Sequence, residues 1–559
     1  MTAKRLVPLF FLALAALFLI ANRGAYKGYF QDDDLDNLSF TREMDLADFF
    51  TPLILPKVED HNFRPIGHLF YRVMGSLAQL RFPPYIFVLH ALHLLAGVLL
   101  WFVLRRLGLP YLAAGSGVLF FAFHMAAFDV FWKPMYVFDL LCGVFCLISL
   151  LGYLQGRWVL SLLALWLAYR SKEVAVMLPV VFGAYEYLLG GRNWKRLLPF
   201  AGFSLVIGIQ ALVHNQNATE TAYTLRFDPV SLWTCLRYYV PVGWLLASFL
   251  LIFVRDRRVW FGVIAFCSLL LPMLLLPGRL FSAYLYVPLI GLSIALAALA
   301  AKLDRRLVAS FFLIWLPWNF VVLRRDRNMA LSDVADRRAF VTGVSDFARQ
   351  NPDVLSYVYN PSGIESIQPY AARAAVKLAH PPGASVRFFT PYTANVTPLA
   401  VLSWDPKAHK LIPLLRRSET PDAAYIKMGP QTPIWQLEQG WYEREGTFRW
   451  TKPYATARLA EPPGAREFEL VVNVGPEYIA KVQRSHVTVA LNGNVIGEQD
   501  FTRPGWQTVR FLIAHPQPGP VEMALRVSPE FQAGRVLGIA VVAFGFVPHE
   551  PLVESSRKP

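Results

Sequence analysis

Charged side chains are scarce in this chain. Aspartate, glutamate, lysine and arginine make up 17% of its 559 residues, whereas soluble domains carry about 25%. Hydrophobic residues make up 55%, and the mean hydropathy is +0.38. This composition excludes an ordinary soluble globular protein, and we expect an integral membrane protein.

Cysteine is scarce as well. The four cysteines, Cys142, Cys146, Cys235 and Cys267, all lie inside apolar segments. No pair therefore remains for a disulfide or a zinc site in the aqueous part of the protein. Cys142 and Cys146 share a helix face, and we interpret them as small apolar core residues, the usual role of free cysteine.

Acidic residues are fewer than basic ones, and the formal net charge is +15. Such an excess could indicate a nucleic-acid partner. The basic residues, however, fall at the ends of apolar segments, where lysine and arginine meet lipid headgroups. The charge therefore indicates contact with a membrane, and we expect no nucleic-acid partner.

Apolar segments near the ~20-residue length of a membrane-spanning helix recur up to about residue 323. We identify them at 6–21, 85–104, 111–128, 135–154, 158–169, 174–189, 197–213, 232–254, 259–276, 284–301 and 307–323. No small-residue cleavage pattern follows the first segment, so we interpret it as an anchor and not as a signal peptide. The predicted fold class is an α-helical polytopic membrane protein with about 11 transmembrane helices over residues 1–323.

Basic residues predict the orientation of these helices. One set of loops carries Lys4, Arg5, Arg105, Arg106, Arg157, Arg192, Lys195, Arg196, Arg255, Arg257, Arg258, Lys302, Arg305 and Arg306. The opposite short loops carry only Lys133, Arg170, Lys172, Arg226 and Arg279. The positive-inside rule therefore predicts a cytoplasmic N-terminus, with Arg23 and Lys27 as a local exception. An odd number of spans then places the C-terminal part on the exported side, in the periplasm if the membrane is a bacterial inner membrane.

The first exported loop, residues 22–84, carries an acidic cluster in the stretch Gly28-Tyr-Phe-Gln-Asp-Asp-Asp-Leu-Asp-Asn37. Like charges packed together raise one another's pKa and can bind a cation or supply a catalytic group. Asp32, Asp33 and Asp34 could equally form a solvated loop at the edge of the bilayer. We also expect two surface helices in this loop, one over 43–50 and one beginning at Pro65. The apolar stripe of the second helix predicts that it lies in the membrane interface.

The composition changes after residue 323. Residues 326–348 and 365–380 have helical patterns, within a mixed α/β connecting region predicted over 324–436. Alternating segments at 467–474, 486–491, 508–514, 521–527 and 536–547 predict a β-sandwich over 437–559. Asn492-Gly493 predicts a hairpin. In this exported region, Trp441, Tyr442, Trp450 and Trp506 could stack on sugars or pack in the core.

Ionisable residues gather on the predicted exported side. They lie in exported loops or in the exported halves of spans: Asp32, Asp33, Asp34, Arg64, His68, His90, His93, Asp129, Lys133, Asp139, Lys172, Glu173 and Arg279. Ionisable groups at membrane depth are costly and usually face a cavity. We therefore expect a polar cavity that opens toward the exported face.

Simpler interpretations exist for several of these residues. His90 and His93 could form hydrogen bonds to neighbouring helices. Arg64 and His68 could face lipid headgroups, and Lys172 with Glu173 could form a local ion pair. Arg279 differs, because it is followed by Phe281-Ser-Ala-Tyr-Leu-Tyr-Val-Pro288, and a guanidinium flanked by tyrosines suits a phosphate.

Carboxylates opposite phosphate-binding cations fit one reaction well. A base removes a proton from an acceptor hydroxyl or amine. The acceptor attacks the anomeric carbon of a sugar carried on a lipid phosphate, and cations stabilise the departing phosphate. A lipid-linked donor explains why the site belongs to a membrane protein.

Four segments resemble motifs of the GT-C class of polyprenyl-phosphate-sugar-dependent glycosyltransferases. They are Tyr29-Phe-Gln-Asp-Asp-Asp-Leu-Asp-Asn-Leu38, Asn62-Phe-Arg-Pro-Ile66, Ser171-Lys-Glu173 and Tyr284-Leu-Tyr-Val-Pro288. The ordered set resembles the membrane half of the transmembrane-and-tetratricopeptide O-mannosyltransferases, within the protein O-mannosyltransferase superfamily. The resemblance covers residues 1–323. It departs from the family in its extra aspartate and in lacking a tetratricopeptide array.

The resemblance implies an inverting transferase whose base is an acidic residue of the first exported loop. The family motif aligns best with Asp33 and Asp34, and Asp32 is the alternative. The predicted contacts of the donor phosphate are Arg279, Lys172, Lys133, Tyr284 and Tyr286. The predicted residues of the cavity are Arg64, His68, His90, His93, Asp139 and Glu173. The resemblance implies either that no cofactor is required or that Asp32, Asp33 and Asp34 hold a divalent cation.

The implied partners are a polyprenyl-phosphate-sugar donor and a glycan, lipid or protein acceptor. Two other classes of protein compete with this interpretation. A transporter or flippase of lipid-linked glycans would show paired halves and helices broken at mid-membrane, and the sequence shows no such pairing. A non-catalytic scaffold that presents the β-sandwich would leave the gathered ionisable residues unexplained.

Overall fold

The computed structural model describes residues 3–54, 63–213, 224–240, 254–363, 367–390 and 395–548. The chain forms two compact units, Met1–Val334 and Ala335–Pro559. The first is helical, and the second is rich in strands. The division after Val334 comes a little later in the chain than the one predicted at residue 323, because the helix that contains residue 323 continues to Leu331.

Helices build the first unit. Those described are α1 (Ala3–Ala21), α2 (Asp32–Arg42), α3 (Leu46–Ile54), α4 (Pro65–Ala78), α5 (Phe82–Arg106), α6 (Tyr111–Phe123), α7 (Phe128–Trp132), α8 (Val137–Leu154), α9 (Trp158–Ser171), α10 (Leu178–Leu188), α11 (Leu198–Val213), α12 (Pro229–Tyr239), α13 (Arg257–Leu274), α14 (Leu289–Ala300) and α15 (Arg305–Leu331). Short 3₁₀ turns include Glu173–Met177 and Ser282–Leu285.

Within the described ranges, four helical segments are long and apolar enough to cross a membrane: Phe82–Arg106, Pro134–Leu154, Arg257–Leu274 and Arg305–Gln350. A fifth would combine Tyr111–Phe123 with Met125–Trp132, two segments that are bent by 46°. Shorter apolar helices cover Arg5–Ala21, Trp158–Ser171, Leu198–Gln210 and Leu289–Ala300. The predicted count of about eleven transmembrane helices is therefore not confirmed.

Local breaks divide two of the predicted spans. The span predicted at 111–128 breaks at His124, whose ring Nδ1 accepts a hydrogen bond from the Ala126 backbone N–H at 3.1 Å. The span predicted at 174–189 contains the turn Glu173–Met177 before α10 begins. Residues 241–253, most of the span predicted at 232–254, lie outside the described residues. Apolar composition identifies such segments but does not locate helix ends.

Small residues allow the helices of this unit to approach closely. A Cβ added to Gly262 of α13 would overlap the backbone of α14, and one added to Gly291 of α14 would overlap the backbone of α13. Between α8 and α9, the Ser149 and Ser161 hydroxyls each donate to the other residue's carbonyl at 2.7 Å. Such packing through small and hydroxyl side chains is typical of helices in membranes.

The loop over residues 22–84 contains α2, α3 and α4. The helix predicted to begin at Pro65 is α4, and the one predicted over 43–50 begins later, at Leu46. One face of α4 packs against the unit: a Cβ at Gly67 would overlap the Phe138 ring, and one at Gly75 would lie 3.3 Å from Leu38 of α2. The opposite face leaves Leu77 70% exposed, and the position of this helix in the membrane interface stays a prediction.

The second unit begins with a mixed α/β region. Its helices are α16 (Val334–Gln350) and α17 (Pro369–Ala379), which correspond to the predicted helical segments 326–348 and 365–380. Its sheet has the order β2-β1-β3-β4, with strands β1 (Ser356–Tyr359), β2 (Arg387–Phe388), β3 (Leu399–Asp405) and β4 (Lys410–Arg416). Strand β1 pairs in parallel with β2 and β3, and β4 is antiparallel.

Two further sheets share one hydrophobic core. The strands are β5 (Tyr425–Lys427), β6 (Trp441–Glu445), β7 (Phe448–Thr451), β8 (Tyr454–Glu461), β9 (Glu467–Val474), β10 (Ser485–Leu491), β11 (Asn494–Phe501), β12 (Gly505–Leu512), β13 (Gly519–Ser528), β14 (Phe531–Gln532), β15 (Val536–Leu537) and β16 (Ala540–Val547), with α18 (Pro476–Val482) between β9 and β10. The sheet orders are β11-β10-β13-β8 and β12-β9-β16-β7-β6, with β5 beside β16. Buried residues of both sheets, such as Val472 and Leu525, belong to the same core.

The predicted turn at Asn492-Gly493 joins β10 to β11. Leu491 pairs with Asn494, and both turn residues have positive φ, 49° and 82°, as a type I′ hairpin requires. The aromatic residues of this region divide between the core and the surface. Trp441 is 2% exposed and Trp506 is 60% exposed.

Candidate functional site

Helix α2 carries the acidic cluster, and its register separates the aspartates. Asp33, Asp36 and Asn37 lie on one face, because residues three and four apart are neighbours on a helix. All three line a cavity of about 1380 Å³ in the first unit, called the main cavity below. The opposite face is apolar, and Leu35 and Leu38 are 1% and 4% exposed.

Asp34 does not line the main cavity and is fully buried. Its Oδ2 accepts the Gln31 backbone N–H at 2.7 Å, which forms a capping box at the start of α2. Its Oδ1 accepts the hydroxyl of Tyr71, a fully buried residue of α4, at 2.7 Å. Asp32, the first residue of α2, does not line the main cavity.

Arg64 and Glu173 form an ion pair on the cavity wall. Arg64 lies directly before α4, and its guanidinium binds both carboxylate oxygens of Glu173, with Nε and Nη2 each 2.9 Å from one oxygen. The Glu173 side chain is 42% exposed. Its partial burial would raise its pKa, but the charge and hydrogen bonds of Arg64 lower it to about 2. Burial alone would lower the pKa of Arg64, and Glu173 instead raises it. Both side chains therefore stay charged at neutral pH.

His68 lies on the same wall, one helical turn after Arg64. Its Nδ1 is 3.1 Å from the Arg64 backbone nitrogen and 2.9 Å from the Arg64 carbonyl oxygen. Its ring stacks on Phe63 with the ring centres 4.7 Å apart. These contacts fix the start of α4 beside the cavity.

Lys172 and Asp139 form a second ion pair on the cavity wall. The Lys172 ammonium lies 2.6 Å from each carboxylate oxygen of Asp139. The two side chains are 10% and 4% exposed. Lys172 also lies 4.3 Å from the centre of the Tyr284 ring, a distance at which a cation is attracted to an aromatic face.

Arg279 and Tyr284 extend this group of polar residues. The Arg279 Nε donates to the Tyr284 hydroxyl at 3.2 Å. The guanidinium also lies 5.4 Å from the centre of the Phe281 ring. Contacts through Tyr284 therefore connect two cations, Arg279 and Lys172, on one side of the main cavity.

Three residues predicted to bind the donor or line the cavity lie in a packed aromatic cluster instead. His93 hydrogen-bonds to the hydroxyl of the fully buried Tyr286 at 3.1 Å, and its other ring nitrogen lies 3.2 Å from the Ala122 carbonyl. His90 bonds to the Tyr26 hydroxyl at 3.2 Å. None of His90, His93 and Tyr286 lines the main cavity. Interhelical bonding, the simpler interpretation of the two histidines, describes these contacts.

Lys133 also lies off the cavity wall. Its ammonium is 2.7 Å from Asp129, one helical turn earlier. The second Asp129 oxygen accepts the Ser282 hydroxyl at 2.9 Å. Lys133 does not line the main cavity, and its role at the donor phosphate stays a prediction.

The rest of the main cavity is mostly apolar. It continues between the turn Glu173–Met177, α10 and α11, where its wall includes Val176, Val180, Leu197 and Leu205. Gly183 and Gly208 also line this part, and a Cβ at either position would lie 3.4 Å from a neighbouring side chain. One cavity thus has a charged part beside α2 and an apolar part between two helices.

Among the residues that the structure describes, no three His, Cys, Asp or Glu side chains are placed to hold a metal ion together. Asp33 and Asp34, two of the three aspartates that could hold a divalent cation, have different surroundings. Asp33 faces the cavity while both oxygens of Asp34 accept hydrogen bonds from the protein.

Sequence reasoning missed Asp36, Asn37, Tyr71 and Tyr136. The spacing of Asp36 and Asn37 from Asp33 would have identified them once a helix was assigned to this stretch. Tyr136 lines the cavity and directly precedes α8, which carries Asp139. No local pattern marks Tyr71, because its partner Asp34 lies 37 residues away.

No protein-family model matches the chain, and no curated protein matches it in sequence. Among solved structures, the cryo-EM structure of the arabinofuranosyltransferase AftD from Mycobacteria is similar, with a TM-score of 0.37 and 10% sequence identity. The similarity covers 95% of this chain and 60% of the AftD chain. A TM-score this low does not establish a common fold.

Proposed function

We propose that the chain is an integral-membrane inverting glycosyltransferase that uses a polyprenyl-phosphate-linked sugar on the exported side of the membrane. One observation carries the proposal. The main cavity combines a carboxylate, Asp33, with the cations Arg64, Lys172 and Arg279, and it continues into an apolar part. A lipid-linked sugar phosphate has the same two parts, a charged head and a long hydrocarbon chain.

Asp33 is the proposed base. Its carboxylate accepts the proton of an acceptor hydroxyl, and the acceptor oxygen then forms a bond to the anomeric carbon of the sugar. The bond between that carbon and the phosphate oxygen breaks, and the electron pair leaves with the phosphate. A single displacement of this kind inverts the configuration at the anomeric carbon.

Lys172 and Arg279 are the proposed contacts of the departing phosphate. They lie on the same side of the cavity and both contact Tyr284. Fixed cations at the place where negative charge develops lower the barrier, because they need no reorganisation during the reaction. Asp139 holds the Lys172 ammonium in place at 2.6 Å.

Arg64 and Glu173 suit a different part of the substrate. Their bidentate pair connects the start of α4 to the turn that follows α9. With Asp36 and Asn37 on the facing helix, the wall offers acceptors and donors for sugar hydroxyls. We propose that this wall binds the sugar and the acceptor. The acceptor is a glycan, a lipid or a protein.

A transfer assay with the purified chain tests the proposal. Polyprenyl-phosphate donors with radiolabelled sugars are incubated with envelope glycans, glycolipids or peptides as acceptors. We expect label in one acceptor class. Arg279→Ala should reduce kcat/KM for the donor about tenfold or more, since charge-assisted bonds are strong. Arg279→Lys should retain part of the activity, because it keeps the charge but not the planar fork.

The same experiment also distinguishes an enzyme from a transporter. Reconstituted vesicles that move a lipid-linked glycan between leaflets, without transfer from any donor, would contradict the enzyme and favour a flippase. Undiminished transfer in Arg279→Ala, Lys172→Met and Asp33→Asn would contradict the assigned site but not the activity.

A further inference from the structure

The two acidic residues Asp33 and Asp34 are adjacent in sequence but have different surroundings. Asp33 lines the main cavity. Asp34 is 0% exposed, and both of its carboxylate oxygens accept a hydrogen bond at 2.7 Å. One donor is the Gln31 backbone N–H of the capping box, and the other is the Tyr71 hydroxyl. Asp34 therefore has no direct access to a substrate in the cavity.

The contact with Tyr71 joins α2 to α4. A helix has 3.6 residues per turn, so each residue is rotated by about 100° from the previous one. If Asp34 is held on the protein side of α2, Asp33 must project from a different face. That face is the one that Asp33 shares with Asp36 and Asn37 on the cavity wall.

Tyr71 is itself held on several sides. Its side chain is fully buried, and its ring centre lies 6.2 Å from that of Phe138, which lines the main cavity. On the same helix, Gly67 packs directly against Phe138. The Tyr71 hydroxyl thus donates to Asp34 from a fixed position on α4.

We propose that Tyr71 and Asp34 are positioning residues that hold the Asp33 carboxylate toward the main cavity. The inference rests on the proposed function, since it concerns the base of that reaction. It assigns proton removal to Asp33 alone. Asp34 acts through the register of α2, and Tyr71 acts through Asp34.

Kinetics of single variants test the proposal. Tyr71→Phe removes one hydrogen bond and leaves the ring. We expect kcat to fall about tenfold or more while KM for the donor changes less than about threefold, because binding is kept and only alignment is lost. Asp34→Asn keeps a carbonyl oxygen for Tyr71 and should retain more activity than Asp34→Ala.

Tyr85→Phe is the matched control. Tyr85 is also fully buried, and its hydroxyl donates to the Gln79 carbonyl at 2.8 Å rather than to a carboxylate. Tyr85→Phe should leave kcat unchanged although it removes a partly buried hydrogen bond. A purely structural role of Tyr71 would instead lower the melting temperature in both tyrosine variants and leave the kcat of the folded protein unchanged. That result would overturn the proposal.

The experiment separates this inference from the proposed function. Transfer by the wild type, its loss in Asp33→Asn and an unaltered kcat in Tyr71→Phe would overturn the positioning role alone. If the wild type transfers no sugar, the proposed function fails, and hydrogen exchange over residues 31–37 still tests the contact. Faster exchange in Tyr71→Phe than in Tyr85→Phe supports the positioning of α2, and equal exchange overturns it.

Discussion

Lys172 and Asp139 form a buried ion pair in which the ammonium lies 2.6 Å from each carboxylate oxygen. Asp139 is in the first turn of α8, and Lys172 directly follows α9. Taking two charges out of water is costly, and the pair is tolerated because each charge neutralises the other. The pair therefore holds a cation on the wall of the main cavity in a fixed position.

Breaking this pair should be strongly destabilising. We expect Asp139→Asn to lower the free energy of unfolding by about 3–5 kcal/mol, because the Lys172 charge stays buried without a carboxylate. The double variant Asp139→Leu with Lys172→Met should recover most of this stability while losing activity. Thermal unfolding in detergent measures the stability of the single and the double variant, and the transfer assay measures their activity.

The pair of Lys133 and Asp129 provides the control. It is more exposed, at 25% and 20% for the two side chains, so Lys133→Met should change the free energy of unfolding by no more than about 1 kcal/mol. Equal losses in Lys133→Met and Asp139→Asn would contradict the special role of the buried pair.

The pair of Arg64 and Glu173 predicts a dependence of stability on pH. The pKa of Glu173 is lowered from 4.5 to about 2 in the folded protein. Its contribution to stability is therefore complete above its usual pKa and is lost as the pH falls toward the folded value. The stability advantage of the wild type over Glu173→Gln should thus be constant at neutral pH and shrink between about pH 5 and about pH 3.

Melting temperatures measured across this range check the prediction. Arg64→Met removes the partner that lowers the pKa of Glu173. The stability advantage of the wild type over Arg64→Met should therefore shrink over the same pH range. An advantage of the wild type that grows as the pH falls would have the wrong sign and would contradict the assigned linkage.

Gly67 should tolerate no side chain. A Cβ at this position would overlap the buried ring of Phe138, and overpacking costs about 1–3 kcal/mol. We expect Gly67→Ala to lower the melting temperature and also kcat, since it displaces α4 and with it Tyr71. Gly202→Ala is the control, because a Cβ there meets nothing within 4 Å. Equal melting temperatures in the two variants would contradict the close contact of α4 with α8.

Local patterns in the sequence predicted several elements well. The hairpin at Asn492-Gly493 follows from the residues that a tight turn needs, and the strand predicted at 467–474 coincides with β9. Pro65 begins α4, as its fixed φ favours. These predictions succeeded because one short segment contains all the information.

Contacts between distant segments could not be predicted in the same way. Asp33 and Asp34 look equivalent in sequence, and only the Tyr71 hydroxyl and the register of α2 distinguish them. His90 and His93 likewise join aromatic neighbours from other helices. The gathering of Asp33, Lys172 and Arg279 at one cavity agrees with the sequence analysis, and their roles in catalysis remain predictions.

The most direct test of the account compares Asp33→Asn with Asp32→Asn in single-turnover transfer from a polyprenyl-phosphate-linked sugar. Asn cannot accept the acceptor's proton, so Asp33→Asn should reduce the rate of transfer by about 10²-fold or more while donor binding is retained. Asp32 does not line the main cavity, and its variant should remain within about threefold of the wild type. Transfer by Asp33→Asn at the wild-type rate, or loss of transfer in Asp32→Asn alone, would contradict the assignment of Asp33 as the base.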